Sequence, residues 1–473
     1  MKTLVSSWVL ASGNLWAPFL LVAVTLMLLA SPYPYMAPLP GLGMLVLLLL
    51  GRWNLRSALF YGIVLLIPFG AYRTPIGELE LLRLHWVLAI ALAGLVAMDT
   101  LLRKSLPREL HNRSFWMLVF GFVIANAISL PSSGFPAVSM RFLMLLVAGF
   151  MLVALGMIVL DDRGFTQILP MVVVGSVVMG SVLAVLGYTM DLPVFISPKT
   201  GRAAGGAPDP NNMSLMIIFS IPLLVYFLLT TRHPLRRLGL LLALGINVGA
   251  IVLTFSRGGA LILGLSIPLI LWEYRRMIAP RNLGLLLGLS GLALIVFVLL
   301  APDTYGRRIQ SLRDGDDFVI NRRYSYILVA RDLFQQHPVL GSGPDTFSSL
   351  YAQTEVGRYF TRQREDGRRK AHNTYLEVLV GTGLFGFAWF FGVLLYAYYG
   401  FSHAKRRFLE QGMLREALVT GAYRVSFLTL LLYFLIYSDV YHKYLLLSLA
   451  LSMVALRLAR ESGKAGDDVY AAR

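Results

Sequence analysis

The segment Ala371-His372-Asn373-Thr374-Tyr375-Leu376-Glu377 opens an apolar run that continues to residue 399. This sequence places His372 in the first turn of a helix. Peptide dipoles at that end disfavour an imidazolium and hold the ring neutral, able to accept a proton. A hydrogen-bonded structural histidine is the competing reading. Three other segments bring arginine to apolar surroundings. The first runs from Lys199 through Arg202, Gly205, Gly206 and Pro208 to Asp209, Asn211 and Asn212. Its glycines and prolines make a structured turn, and Asp209 or Asn211 can cap the next helix, whose amides would face an anion. The second, Thr254-Phe255-Ser256-Arg257-Gly258, sets an arginine between two apolar runs. There it must pair with an anion, face water or reach toward headgroups. In the third, Asn321, Arg322 and Arg323 precede an amphipathic helix expected over 324–336, and Arg358, Arg362, Arg364, Arg368, Arg369 and Lys370 crowd together just before His372. For that cluster a solvated basic face is the plain alternative. Arginines gripping an anionic headgroup beside a proton acceptor are what transfer from a phosphate leaving group requires.

The elements that carry these residues are apolar helices. Of 473 residues, 57% are hydrophobic and 14% charged, against about 25% charged in a soluble domain. Apolar runs recur at 15–30, 36–50, 57–72, 84–102, 114–130, 140–160, 167–188, 212–230, 237–255, 258–274, 282–300, 373–399, 421–437 and 440–458. The fold class is therefore all-α: a polytopic transmembrane bundle of twelve to fourteen spans with one long, partly helical loop. A soluble enzyme and a disordered chain are both excluded. The expected organisation is an amino-terminal bundle over 1–200, spans bearing the arginines over 201–300, the loop 301–371, carboxy-terminal spans over 372–460 and a tail over 461–473.

The charge of +17 tests this arrangement. With the N-terminus inside and the spans alternating, twenty-three of the 42 basic residues fall on inside segments, seven on short outside segments and twelve in the 301–371 loop. The short loops obey the positive-inside rule, from which long loops are exempt. The expectation is N-in and C-in, with loop 301–371 on the external, periplasmic side. Most of the basic excess then sets orientation and gives little ground for a nucleic-acid partner. Arg202, Arg257, the arginine-rich loop and His372 share the external face, where a lipid diphosphate could enter from the bilayer.

Other chemistries are poorly supported. The chain has no cysteine, which excludes disulfides and thiol nucleophiles. Its seven histidines are scattered, so no metal site and no cofactor is expected. Asp314-Gly315-Asp316-Asp317 has a spacing that suits a divalent metal and a nucleotide sugar, yet it falls on the outside, where nucleotide sugars are not supplied. Gly341-x-Gly343, inside His337-Pro338-Val339-Leu340-Gly341-Ser342-Gly343, lacks the third glycine and the preceding strand of a dinucleotide fingerprint and reads as a tight turn after a helix stop. A transporter would need ionisable residues near the midplane or internal repeats, and the ionisable residues here gather at span ends, with Asp439 and Arg141 the exceptions.

Three of these segments together resemble the bacterial O-antigen ligase and polymerase family: Thr254-Phe255-Ser256-Arg257-Gly258; Arg202 with Gly205 and Asp209-Pro210-Asn211; and His337 to Phe347 followed by His372 to Glu377 and Gly381-x-Gly383-x-x-Gly386. The similarity covers roughly residues 200–400, and the histidine segment after a hydrophilic loop is its most specific part. The resemblance implies an inner-membrane, metal-independent glycosyltransferase that takes a glycan from undecaprenyl diphosphate on the periplasmic side. Ligases of the family transfer it with inversion to the lipid A–core saccharide; polymerases transfer a growing chain to another lipid-linked repeat. By the same resemblance Arg202 and Arg257 hold the donor diphosphate, His372 is the general base, and Arg322, Arg323 and Arg369 are further substrate contacts. Ligase is favoured over polymerase, and both stay open.

Overall fold

The computed structural model describes residues 54–69, 84–105, 107–198, 200–277, 318–361 and 368–471. Among them the chain is all-α, its extended pairing being an isolated antiparallel bridge between Ile196 and Ala203. The helices are α1 (Leu55–Leu65), α2 (Leu84–Arg103), α3 (Arg113–Ile128), α4 (Pro136–Val159), α5 (Leu169–Thr189), α6 (Pro210–Thr230), α7 (Pro234–Leu253), α8 (Arg257–Tyr274), α9 (Phe318–Gln336), α10 (Phe347–Gln353), α11 (Glu355–Thr361), α12 (Thr374–Glu410), α13 (Leu414–Tyr433) and α14 (Lys443–Ala471). Six of the described helices are long and apolar enough to cross a membrane: α2, α4, α5 with the π turn before it, α6, α7 and α12. The protein is a polytopic helical bundle. The runs expected at 15–30, 36–50 and 282–300, and the acidic segment 314–317, lie outside the described residues. Every other expected run coincides with a helix, though α1 and α3 are short for a span.

Local chemistry sets the helix starts. Asn112 caps α3 by accepting the Phe115 N–H at 3.2 Å, and Asn373 caps α12 by accepting the Leu376 N–H at 3.1 Å. Pro136, Pro210 and Pro234 each open a helix, where the missing proline N–H costs nothing.

The chain divides into two compact units. One comprises residues 1–105, 159–224 and 231–256; there α5 packs on α7 and α1 packs on α2 and α5. The other comprises residues 106–158, 225–230 and 257–473. Its axis is α12, which packs on α3, α13 and α14, while α8 packs on α13 and α9 on α12. Small residues allow the close approaches: the Ser452 hydroxyl donates to the Ala397 carbonyl at 2.6 Å, and Gly121 lies flat against the Trp389 ring.

Helix α12 is broken at Gly383, whose φ of 61° and ψ of −167° no helix contains. The break is filled by the segment after α9. Leu384 and Phe385 donate their N–H groups to the carbonyls of Pro338 and Val339 at 2.9 and 3.1 Å. In return the Ser342 and Gly343 N–H groups donate to the carbonyls of Val380 and Gly381 at 2.9 and 3.0 Å. The turn read from Gly341-x-Gly343 is thus a strap laid into a helix break. Gly341 has φ +74° and lies on the Gly381 backbone, so a side chain there meets both strain and a clash.

At the other end of α12, Lys405 and Arg424 both pair with Glu273 of α8, whose side chain is 3% exposed. The Arg424 Nη1 also donates to the Ser402 hydroxyl at 3.2 Å. Removing the one carboxylate leaves two cations facing each other, and breaking a buried pair from one side costs about 3–5 kcal/mol. Glu273→Ala is therefore expected to lose about that much stability in detergent-solubilised protein, read by thermal or denaturant unfolding. A midpoint equal to that of the unaltered protein would show that the triad contributes nothing.

Candidate functional site

In the first unit the two expected arginine segments meet. The Arg202 guanidinium donates through Nε to the Thr254 carbonyl at 2.5 Å and through Nη2 to Asn211 Oδ1 at 3.1 Å. The Ser256 hydroxyl donates to the same Asn211 oxygen at 3.0 Å. The backbones are stitched as well, Ala203 N–H to the Leu253 carbonyl at 3.1 Å. Asp209 is the cap of α6, its Oδ1 accepting the N–H groups of Asn211 and Asn212 at 2.8 and 3.1 Å. That frees the Asn211 amide to orient Arg202. Phe255 holds a left-handed φ of 47° and sets its ring edge-on to Tyr188, centroids 5.8 Å apart. The turn that delivers Ser256 and Arg257 is therefore bent and packed in place. Arg257 is the first residue of α8 and is half-buried.

In the second unit His372 is not in the first turn of a helix, as the sequence implied. It sits just outside the Asn373 cap of α12, in a left-handed conformation with φ 51°. The reason is that Asn373, with φ −152°, takes the capping position, which leaves His372 to make the bend. The imidazole is half-buried and lies 5.8 Å, centroid to centroid, from the Tyr326 ring of α9. Tyr326 belongs to a core with Val329, Ala330, Phe347, Tyr351, Ala371 and Val380. The residues on either side of the histidine are pinned. The Ala371 N–H donates to Glu377 Oε1 at 2.8 Å and the Asn373 N–H to the Ser438 hydroxyl at 2.9 Å.

A charge cluster lies under this bend. Lys370 faces Asp345 at 3.8 Å, and a small cavity beside it is lined by Asn126, Asp345, Glu377 and Thr382 among others. Burial pushes the Asp345 carboxyl above the ordinary carboxylate value, partly offset by Lys370 and Arg141. Burial alone would lower the Lys370 ammonium, but Glu377, Asp345, Tyr441 and Asp439 outweigh it and raise it. His442 is the opposite kind of histidine. It is buried, its pKa pushed down to about 3 by burial with Lys443 adding to the effect, and its Nδ1 accepts the Tyr444 N–H at 3.2 Å.

The remaining predicted residues are dispersed. Arg323 is exposed on α9; the Arg322 side chain lies outside the described residues. Arg369 is half-buried, with Nη1 on the Arg368 carbonyl at 3.5 Å and a buried Nε that lacks a partner. Among the described residues no group of three His, Asp or Glu is placed to hold a metal ion. Sequence reasoning missed Glu377, Asp345 and Lys370 as a group. The available signal was a carboxylate placed early in an apolar run, which demands a partner.

Six described helices long and apolar enough to cross a membrane define a multi-pass membrane protein. Residues 239–391 match the family model described as O-antigen ligase. The match takes in Arg257, the strap, His372 and the break at Gly383, and ends within α12. No curated protein is matched by the chain.

The raised Lys370 pKa has a signed consequence. Its stabilising contribution is complete below the ordinary value of 10.5 and declines as pH rises above it toward the folded value. Lys370→Met is expected to lower the unfolding midpoint at about pH 8, with the gap to the unaltered protein narrowing by about pH 11. A gap that is constant across that range would rule out the ammonium as its source.

Proposed function

We propose that the protein is an inner-membrane glycosyltransferase that moves a glycan from undecaprenyl diphosphate to an acceptor hydroxyl on the periplasmic face, with the lipid A–core saccharide as acceptor. The observation that carries this reading is His372, fixed at the entry of α12 by bonds from the N–H groups of both neighbouring residues, within a segment that matches the O-antigen ligase family. Its half-buried ring can take the acceptor proton as the hydroxyl oxygen attacks the anomeric carbon. The bond from that carbon to the diphosphate oxygen breaks on the opposite face, giving inversion, and the departing diphosphate carries the negative charge. Arg202 and Arg257 are assigned to that charge. Asn211 and the Thr254 carbonyl hold the Arg202 guanidinium in one orientation, which suits bidentate contact with phosphate oxygens. Arg257 adds its charge to the amide end of α8. Arg323, Arg369 and Arg322 are assigned to outlying phosphates of donor or acceptor. The reading needs no metal, so a chelator leaves turnover unchanged.

The test is reconstitution with a lipid-linked glycan and a choice of acceptors. A single glycan joined to lipid A–core is expected. His372→Ala should reduce turnover by about a hundredfold or more. Arg202→Ala and Arg257→Ala should mainly raise the donor KM. A ladder growing on undecaprenyl diphosphate would move the protein to the polymerase class, and undiminished transfer by His372→Ala would remove the base assignment.

A further inference from the structure

The approach to His372 is built from three interactions that converge on one carboxylate. Glu377 is one turn inside α12 and buried, 6% exposed, in a helix read as a membrane span. Its Oε1 accepts the N–H of Ala371, the residue before His372, at 2.8 Å. Ser438 also hydrogen-bonds to the Glu377 side chain, and that same hydroxyl accepts the Asn373 N–H, the peptide group after His372. The hydroxyl can accept from Asn373 while it donates to the carboxylate, so one acidic side chain brackets the histidine from both sides. Thr374 extends the bracket: its N–H donates to the carbonyls of Phe434 and Tyr437 at 2.9 and 3.0 Å, and its hydroxyl donates to the Tyr437 carbonyl at 2.7 Å.

The bracket holds a conformation that histidine does not choose. His372 has φ +51°, a region disfavoured for residues with a Cβ and maintained only where the surroundings impose it. A glutamate buried in apolar surroundings also needs a counter-charge, and Lys370, two residues before His372, interacts with both Glu377 and Asp345.

We propose that Glu377 is a positioning residue for His372: its carboxylate holds the Ala371 N–H and, with the Ser438 hydroxyl that holds the Asn373 N–H, fixes the residues on either side of the histidine and so aims the imidazole. The inference rests on the assignment of His372 as base in the proposed transfer. Its geometric part does not need that assignment. Glutamine at 377 can still accept from Ala371, but its amide N–H groups cannot take the proton donated by Ser438, so it restores one half of the bracket. Alanine restores neither.

The experiment uses full-length protein in lipid nanodiscs and two readouts. Carbethoxylation of individual histidines by diethyl pyrocarbonate is followed by peptide mass spectrometry, with the exposed His337 and His403 as internal controls. Glu377→Ala should make His372 react about threefold faster or more, with both controls unchanged, and Glu377→Gln should fall between. In transfer assays Glu377→Ala should lower kcat about ten- to a hundredfold at constant donor KM, with Glu377→Gln recovering part of the loss. Unchanged His372 reactivity in Glu377→Ala overturns the proposal. So does a parallel change at all three histidines, which would mark a merely structural role. If His372→Ala retains full transfer, the base assignment fails, yet the carbethoxylation result still decides whether Glu377 holds the histidine.

Discussion

A helix that breaks in apolar surroundings must find new partners for the peptide groups it frees, because no solvent is there to take them. In α12 the break at Gly383 is met by the strap at 338–343, which accepts from Leu384 and Phe385 and donates to Val380 and Gly381. The rest of the second unit is organised around that exchange. The strap is itself held by serines of the α3–α4 connection and of α4: Ser129 and Ser132 donate to the Leu340 and Gly341 carbonyls at 2.6 and 3.0 Å, and Ser139 donates to that of Pro344 at 2.8 Å. A single turn thus ties α9, α12, α3 and α4 together. The short first part of α12 that follows His372 is fixed at both ends, by its cap and by the strap.

This arrangement explains which parts of the fold were legible in the sequence. Among the described residues, apolar runs separated by charged or proline- and glycine-rich breaks located α1 to α8 and α12 to α14, because burial of an apolar helix leaves a composition signal that needs no partner. The extensions of α14 to Ala471 and of α12 to Glu410 were not legible, since amphipathic helix ends carry charge and read as loop or tail. The glycines at 341, 343, 381 and 383 were visible as a pattern, and their spacing excluded a nucleotide fingerprint. Their actual use was hidden, because it lies in two segments some forty residues apart that complete each other's hydrogen bonding.

For the site, the sequence identified single residues better than relations. Arg202 and the Thr254–Arg257 segment were noticed separately as arginines in unlikely surroundings, and the structure shows Asn211 joining Arg202 to Ser256 through one side-chain oxygen. Asn211 was read only as a possible cap, a role that Asp209 fills. Glu377 was part of the quoted motif and still had no role, because its partners come from the strap, from the α13–α14 connection and from residues just ahead of it. Charges in an apolar fold are legible one at a time as anomalies. The pairing that makes them tolerable is a tertiary fact.

Two histidines of the second unit, His372 and His442, show what distinguishes a candidate base from a structural ring. His442 is buried, and its Nδ1 is occupied by the Tyr444 N–H. Protonation would place a charge in an apolar site beside Lys443, so the ring stays neutral and serves as a cap. His372 is anchored through its neighbours' backbone instead, while its ring lies half-buried against Tyr326. A left-handed histidine is costly, and it persists here because a carboxylate, a serine hydroxyl and two carbonyls of the α13 end over-determine the residues on either side of it and the cap.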